Sequence, residues 1–423
     1  MPNWQDVNPR FNAAYDLFGN GKTAIKGSVS RSVQQDSIGI AQANNPAANA
    51  NVTSVNRLWF DNNGNGVPDC TLTNPAPQNF FGPGFNPTQD LCGPWNNLNF
   101  GNPNLATVYD PAILNGWGVR PYNWEFSIGV QQEVVRRLSV SASYFRRVMG
   151  NFWVTDNELV SASDYTFYTA TVPTDSRLPN SGATISGIPD LNPSKLGLSR
   201  DVVKNDSQFG THIQHWDGVD VTANGRFSSL TLQGGFSTGR QLTDECAIRA
   251  QVPESAFVAI TGQATPIILP FCRVSEPFLT QIKGFASYVL PWHDIRISGT
   301  LQSVPGPIVN AFNTYAGTAP GLGRDFSSGS STVNLIPGWI DPFAFRGGPT
   351  GTVRGDRLNQ IDLRLTKILK FGSRGTVDLN VDFYNAFNSD AILQEVENYG
   401  LAWRNATSVI QPRFVKFQVR WDF

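Results

Sequence analysis

Apolar and polar residues alternate along the end of the chain. In residues 413–423 every second position counted back from the terminal phenylalanine is apolar, and Asp, Arg, Gln and Lys stand between these positions. Successive side chains of a β-strand point to opposite faces of its sheet, so this pattern predicts a strand with one apolar and one polar face. Soluble chains tend to end in polar, frayed tails, whereas this strand keeps its pattern to the last residue.

Ten further segments alternate and fall into five pairs. The pairs are 10–17 with 23–31, 122–134 with 138–147, 219–227 with 230–238, 279–290 with 295–303, and 357–371 with 376–387. A short connection joins the members of each pair, and the glycines in 19–21 and 372–375 favour tight turns with positive φ. The pattern therefore predicts five antiparallel β-hairpins and one final strand.

The connections between the hairpins are long. They cover roughly 32–121, 148–217, 240–278, 304–356 and 388–412, and they are rich in Gly, Pro, Asn and Ser. Most of the predicted strands exceed the ~5–6 residues usual in soluble sheets and match the ~9–11 residues that a tilted strand needs to cross a bilayer. We therefore predict an all-β, antiparallel transmembrane β-barrel fold with tight periplasmic turns and long extracellular loops.

Aromatic and apolar side chains mark the predicted periplasmic end of the barrel. Phe18, Trp292 and Phe371 lie beside the tight turns. In the final strand the apolar side consists of Phe417, Val419, Trp421 and Phe423. We expect these residues to form an aromatic girdle at the periplasmic interface, with the apolar face toward outer-membrane lipid and the charged face toward a polar lumen.

The composition supports a membrane β protein. Charged residues make up 15% of the chain, below the roughly 25% typical of soluble domains. The formal net charge is -1, so nothing favours nucleic acid as a partner. No apolar run approaches the ~20 residues of a membrane-spanning helix, and the first residues lack the basic and apolar regions of a signal peptide.

Four cysteines form two local pairs in loop-like sequence, Cys70 with Cys92 and Cys246 with Cys272. An even number in such segments favours two disulfides and an oxidising compartment. Four free thiols are the alternative. Metal binding is disfavoured because no Cys-x-x-Cys or nearby histidine pair completes a site.

One loop resembles a calcium-binding pattern. Asp61, Asn63, Asn65 and Asp69 occupy positions 1, 3, 5 and 9, and Gly66 stands at the sharp bend. Position 12 is Leu72 rather than the bidentate glutamate. We expect an Asx-rich turn, with calcium as the alternative and no other cofactor.

Nothing in the sequence indicates catalysis. His212 and His215 could form half of a metal site, but no third ligand is evident and exposed loop positions are favoured. The chain contains no G-x-S-x-G, no H-E-x-x-H and no P-loop. We expect a protein that is not an enzyme.

Several stretches resemble the Oar-like TonB-dependent receptors of Acidobacteria. They are NPRFNAAYDLFGNGKTAIKGSVSR (8–31), RPYNWEFSIGVQQEVVRRLSVSASYFRR (120–147), EPFLTQIKGFASYVLP (276–291), RLNQIDLRLTKILKF (357–371) and DLNVDFYNAFN (378–388). The strand that ends at Phe423 also resembles the β-signal that the barrel-assembly machinery recognises in outer-membrane proteins.

This resemblance implies a 22-stranded barrel in the bacterial outer membrane, plugged by an N-terminal domain. Such a receptor imports an extracellular ligand with energy that TonB–ExbB–ExbD delivers. Eleven strands are half of that barrel, and no plug, TonB box or signal peptide is recognisable. We therefore interpret residues 1–423 as a partial barrel domain, the C-terminal half of a receptor whose ligand the sequence does not identify.

Two other classes of protein remain open at this point. One is a surface-adhesion or protein-export barrel built on the same wall. The other is a secreted, soluble β-rich carbohydrate-binding module, although its strands would be shorter. For the membrane interpretation we expect either two unpaired sheet edges or a forced closure of the eleven strands.

Overall fold

The computed structural model describes most of the chain. The described residues are 2–36, 38–40, 52–79, 84–102, 108–260, 263–266, 272–275, 277–318, 321–336, 354–372 and 375–423, with the backbone alone for 256–260, 263–266 and 274.

Eleven long strands form one antiparallel sheet, here called the wall, in which each strand pairs with its neighbours in chain order. They are β1 (Arg10–Asp16), β2 (Thr23–Val33), β3 (Tyr122–Val135), β4 (Leu138–Gly150), β5 (Ile213–Arg226), β6 (Leu230–Asp244), β7 (Leu279–Val289), β8 (Ile295–Val304), β9 (Leu358–Lys370), β10 (Thr376–Tyr384) and β11 (Phe414–Asp422). All eleven predicted strands are confirmed. A short strand, Arg273–Ser275, also pairs with β6.

The register between neighbouring strands keeps like side chains together. Leu379 of β10 pairs with Val419 of β11, whereas Asn380 pairs with Gln418. Directly opposite residues point to the same face of a sheet. The alternation within each strand therefore builds a continuous apolar face and a continuous polar face across the wall.

Tight turns join the strands of each hairpin at one end of the wall. In the first turn Gly19 and Gly21 have φ of 66° and 70°, and the amide of Gly21 donates a 2.6 Å hydrogen bond to the Asp16 carboxylate. In the last turn Gly372 and Gly375 also have positive φ, as predicted, while residues 373–374 between them lie outside the described residues.

Two central strands are longer than predicted. β5 begins at Ile213 rather than at residue 219, and β6 ends at Asp244 rather than at residue 238. At this height Gly218 pairs with Gly239, and a Cβ atom at either glycine would collide with the Trp216 ring. The Trp216 indole covers this glycine pair. Strand pairing therefore continues here, although the alternation of apolar and polar residues is lost.

The wall is an open sheet. In the described part of the chain β1 pairs only with β2 and β11 pairs only with β10. All nine residues of β11 are exposed. Two edges were one of the two outcomes expected from the sequence, and the structure shows them without forced closure.

The long connections lie at the end of the wall opposite the tight turns and form what we call the loop layer. Its paired strands are Asn3–Gln5 with Asn115–Trp117, Trp59–Phe60 with Leu91–Cys92, Trp153–Asn157 with Asp201–Asn205, Val108–Tyr109 with Asp201–Asn205, Tyr165–Thr171 with Thr184–Leu191, Phe257–Ile260 with Gln263–Pro266, Phe312–Thr318 with Asp325–Asn334, and Ile392–Glu395 with Ala406–Val409. Its short helices are Pro111–Leu114, Ala162–Asp164, Pro193–Lys195, Asp206–Gln208, Cys246–Gln251 and Pro253–Ala256.

The largest cluster of buried apolar side chains lies in this loop layer rather than on the wall. Tyr168 and Phe326 meet edge to face with ring centroids 5.0 Å apart, and Ile188 and Trp403 are buried with them. Three separate loop segments supply these residues. The loops are therefore held together by their own core.

Candidate functional site

The polar face of the wall carries fixed ion pairs. The guanidinium of Arg364 donates hydrogen bonds of 2.5 and 2.9 Å to the two oxygens of Asp382. Arg147 lies 2.6 Å from Glu125, and Arg296 bonds Asp378. Bidentate pairs of this kind orient charge precisely. This face therefore presents charges at set positions.

Neutral side chains link neighbouring strands on the same face. Hydroxyl pairs join Ser28 to Ser127 at 2.6 Å and Ser287 to Ser298 at 2.9 Å. The Thr366 hydroxyl donates a 2.7 Å bond to Asn380. A cavity of ≈ 480 Å³ lies against this face beside Arg296. A surface so rich in donors and acceptors suits contact with water, polar solutes or another polar protein segment.

Burial along β10 is the inverse of that in a strand of a soluble sheet. Along β10 the polar residues Asn380 and Asp382 are only 4% and 3% exposed, while Leu379 and Phe383 are 39% and 37% exposed. Soluble sheets bury the apolar face instead. An apolar outer face is stable when lipid covers it. The wall therefore has the surface chemistry of a membrane-spanning sheet.

The apolar side chains of the last strand are exposed. Phe417, Val419 and Trp421 pair with apolar residues of β10, and together with Phe423 they are among the most exposed large side chains of the chain. Phe18, Trp292 and Phe371 are likewise exposed near the tight turns. This is the placement that an aromatic girdle needs. Recognition of this strand by an assembly machinery stays a prediction.

Both local cysteine pairs are joined in the structure. Disulfides link Cys70 to Cys92 and Cys246 to Cys272. The first closes residues 70–92, directly after the calcium-like pattern that ends at Asp69. The second fixes helix Cys246–Gln251 beside the end of β6.

The calcium-like loop is folded around its own side chains. The Asp61 carboxylate accepts hydrogen bonds from the amides of Gly64 and Gly66 at 2.7 and 2.8 Å. The side-chain amides of Asn63 and Asn65 both donate to Asp69. No set of three His, Cys, Asp or Glu side chains in the described ranges is placed to hold a metal ion. Calcium binding through Asp61, Asn63, Asn65 and Asp69 stays a prediction.

The exposed-loop interpretation of the histidines is wrong. The His212 side chain is only 13% exposed; its Nδ1 lies 2.6 Å from Asp206 Oδ2, and its ring stacks on Phe152 at 3.9 Å. His215 lies within β5, with Nε2 3.4 Å from Asp217 Oδ2. The stacking of His212 on Phe152 joins residues from two separate segments, so no local pattern in the sequence indicates it.

A family model described as an outer membrane beta barrel domain matches residues 1–252, more than half of the chain. The chain therefore belongs to this family of bacterial outer-membrane β-barrel proteins. None of the helices in the described residues is long and apolar enough to cross a membrane.

Comparison with solved structures gives distant likenesses. The outer membrane transporter YddB of Escherichia coli shares 12% identity at a TM-score of 0.45, over 97% of this chain and 40% of that protein. The FrpB iron transporter of Neisseria meningitidis gives 10% identity and 0.42, over 97% and 38%. The ferripyoverdine receptor of Pseudomonas aeruginosa gives 11% and 0.41, over 98% and 33%. The chain thus spans two fifths or less of these proteins. No curated protein sequence matched it.

Proposed function

We propose that the wall is part of the barrel of an Oar-like, TonB-dependent outer-membrane receptor, the C-terminal half of a 22-stranded barrel. The observation that supports this proposal is that the edge strands β1 and β11 each pair with only one neighbouring strand in the described residues. In lipid every backbone N–H and C=O needs a partner, so open edges do not persist there. Further strands outside residues 1–423 would complete the barrel.

In this proposal the polar face lines the lumen. The ion pairs of Arg364 with Asp382 and of Arg147 with Glu125 would face a plug domain carried outside this chain. The loop layer would be extracellular and would receive the ligand. TonB–ExbB–ExbD would then act on the plug, and residues 1–423 would supply walls and loops rather than catalysis.

Photo-crosslinking tests how the edge of β11 is completed. Benzoylphenylalanine replaces Phe417 in the native protein in outer membranes, and mass spectrometry identifies the segment that it captures. We expect a strand that is not among β1–β11. Capture of β1 would show that eleven strands close on themselves and would contradict the proposal.

Association with TonB separates a receptor from a surface-adhesion or protein-export barrel. Cells that make the native protein are treated with formaldehyde, and the protein is purified under denaturing conditions. A crosslinked TonB band supports the receptor. Its absence, with barrel assembly intact, would favour adhesion or export.

A further inference from the structure

Two arginines lie on the apolar face of the wall, at the end nearest the loop layer. Arg146 of β4 and Arg240 of β6 are both directly opposite Asp217 of β5. Directly opposite residues share a face of the sheet, and so do residues two or four apart along one strand. Asp217 therefore shares a face with Val221, whose partner Phe236 is exposed. Both arginines lie on this apolar face.

A third arginine, Arg357, immediately precedes β9 on the same face. Its Nε donates a 2.7 Å hydrogen bond to the Ser303 hydroxyl. Ser303 lies two residues from the exposed Leu301, which pairs with Ile361 on the apolar face. The Arg357 guanidinium also bonds the Thr280 carbonyl at the start of β7. We call Arg146, Arg240 and Arg357 the outer arginines.

The outer arginines lie at the height of a lipid headgroup. β6 begins at Leu230, directly after its tight turn, so Arg240 lies about 34 Å along the strand at ~3.4 Å per residue. With the ~35–45° tilt usual in membrane barrels, this places Arg240 about 25 Å above the turn, which is also the ~25 Å height of the apolar band of such barrels. The guanidiniums therefore lie where the hydrocarbon ends and the headgroups begin.

The neighbours of the outer arginines hold the guanidiniums and leave them open to the surroundings. Arg240 lies over the Phe278 ring, with its Cζ 5.1 Å from the ring centroid. Arg357 bonds a hydroxyl and backbone carbonyls, and both residues are exposed. Of the outer arginines, only Arg146 forms an ion pair within the described residues, and 45% of its side chain is still exposed.

The acidic side chains nearby do not cancel this positive charge. Asp217 is only 8% exposed, and it accepts hydrogen bonds from the Tyr144 hydroxyl at 2.6 Å and from Arg146 at 3.1 Å. Farther along β6, Asp244 is paired with Arg273 at 3.7 Å. Three guanidiniums therefore stand beside the single carboxylate of Asp217, and this part of the apolar face is positive.

The surface between the outer arginines and the tight turns is apolar. Phe236 of β6 pairs with Ile282 of β7, and both side chains are exposed. A ligand that covers both regions needs an anionic group joined to a long apolar part. A soluble anion lacks the apolar part, and an acidic protein cannot enter the hydrocarbon beside a membrane strand. An anionic lipid has both parts in the required order.

Guanidinium groups bind phosphate through paired, charge-assisted hydrogen bonds, more specifically than an ammonium does. We propose that the outer arginines bind the phosphate-bearing headgroup of an anionic lipid in the outer leaflet, whose acyl chains cover Phe236 and Ile282. The inference rests on the proposed function only in that the apolar face contacts outer-membrane lipid and the loop layer is extracellular.

Lipid binding is measured by native mass spectrometry on the purified native protein in lauryldimethylamine oxide. The probes are diphosphoryl lipid A, which is anionic, and phosphatidylcholine, which has no net charge. Arg240→Gln and Arg357→Gln each remove one guanidinium. Arg146 is not changed, because its loss would leave the Asp217 carboxylate without its cation. Arg420→Gln is the matched control, since Arg420 is an exposed arginine of β11 near the tight turns.

We expect lipid A to bind more tightly than phosphatidylcholine. Its dissociation constant should rise about fivefold in Arg240→Gln and in Arg357→Gln, the effect of one basic residue at an anionic membrane surface. Arg240→Lys should fall between the native protein and Arg240→Gln, because it keeps the charge and loses the paired geometry. Arg420→Gln should leave binding unchanged. Near-UV circular dichroism verifies that each variant is folded.

Three results would overturn the inference. The first is that lipid A binds no more tightly than phosphatidylcholine. The second is that neither Arg240→Gln nor Arg357→Gln weakens binding more than Arg420→Gln does. The third is that inorganic phosphate at equal concentration displaces lipid A, because the ligand would then be a soluble anion. Capture of a new strand at Phe417 tests the proposed receptor by itself, so the two failures are distinguishable.

Discussion

At the scale of single residues, the face of the strand on which a side chain lies determines its environment. Asp382 is buried and is paired with the partly exposed Arg364, while Val419, on the opposite face, is 69% exposed. The same alternation in a soluble sheet would have the reverse burial. Because the two faces contact different solvents, similar substitutions on opposite faces should differ sharply in their effect on the free energy of unfolding.

A charge placed on the apolar face tests this difference. Val221 of β5 pairs with Phe236 on the apolar face, and Asn224 pairs with Gln233 on the polar face. In lipid vesicles we expect Val221→Arg to lower the free energy of unfolding by about 2–4 kcal/mol, the cost of a cation near the bilayer centre. Asn224→Arg is the control and should change it by less than about 1 kcal/mol. Equal losses would argue against lipid on the apolar face.

Glu254 should make the loop layer sensitive to pH. Burial raises the pKa of its carboxyl above the ordinary value, because the charged form loses its hydration. Its stabilising contribution is therefore present below the unfolded-state pKa and is lost as the pH rises through the raised pKa.

The Asn157 amide, which bonds Glu254, reports this effect through hydrogen exchange corrected for intrinsic rates. We expect its protection to fall as the pH rises in the native protein and to become pH-independent in Glu254→Gln. The same pH slope in both proteins would count against this role of Glu254.

At the scale of elements, the hairpins were predictable and the loops were not. Period-two alternation predicts a strand such as β10, and glycines predict a turn such as Gly19–Gly21. Both signals are local in the sequence. The contact of Tyr168 with Phe326 and that of His212 with Phe152 join segments with no shared period. The loop core and the burial of His212 could therefore not be predicted from the sequence pattern.

The spacing of the cysteines predicted both disulfides, and the one between Cys246 and Cys272 should stabilise helix Cys246–Gln251. Its 26-residue separation corresponds to about 3 kcal/mol of loop-closure entropy. We expect the double variant Cys246→Ser/Cys272→Ser to speed amide exchange in helix Cys246–Gln251 by about two orders of magnitude. The matched Cys70→Ser/Cys92→Ser variant should leave that helix unchanged. Equal protection in all three proteins would refute a local stabilising role.

The loop that begins at Asp61 gives a separate test at this scale. If it binds calcium, terbium luminescence sensitised by Trp59 should saturate and be displaced by calcium, with a dissociation constant of about 10⁻⁴–10⁻³ M, as in extracellular modules. Asp61→Ala should abolish the signal, and Asp390→Asn in another exposed loop should not. Absence of saturable luminescence would leave only the Asx-rich turn.

At the scale of the whole molecule, the wall and the loop layer differ in where their apolar side chains are buried. The wall has little core of its own, and in the described residues its edge strands β1 and β11 each pair with a single neighbour. The loop layer buries its own apolar cluster. Strand count and edge positions followed from the sequence, whereas the extra length of β5 and β6 depended on Trp216 covering two glycines.

The central claim is that the wall separates lipid from a polar lumen, and three adjacent residues of β4 test it directly. Ala142 lies on the apolar face opposite Val130 and Val221, while the Ser141 hydroxyl bonds Thr222 on the polar face, and Ser143 shares that face. All four native cysteines are in disulfides, so a single introduced cysteine takes a spin label selectively.

The measurement is power-saturation electron paramagnetic resonance on Ser141→Cys, Ala142→Cys and Ser143→Cys, each labelled in the native protein in lipid nanodiscs. We expect the spin label at position 142 to collide with oxygen, and the labels at positions 141 and 143 to collide with a water-soluble nickel complex. Uniform accessibility at all three positions, or nickel contact at 142, would contradict it.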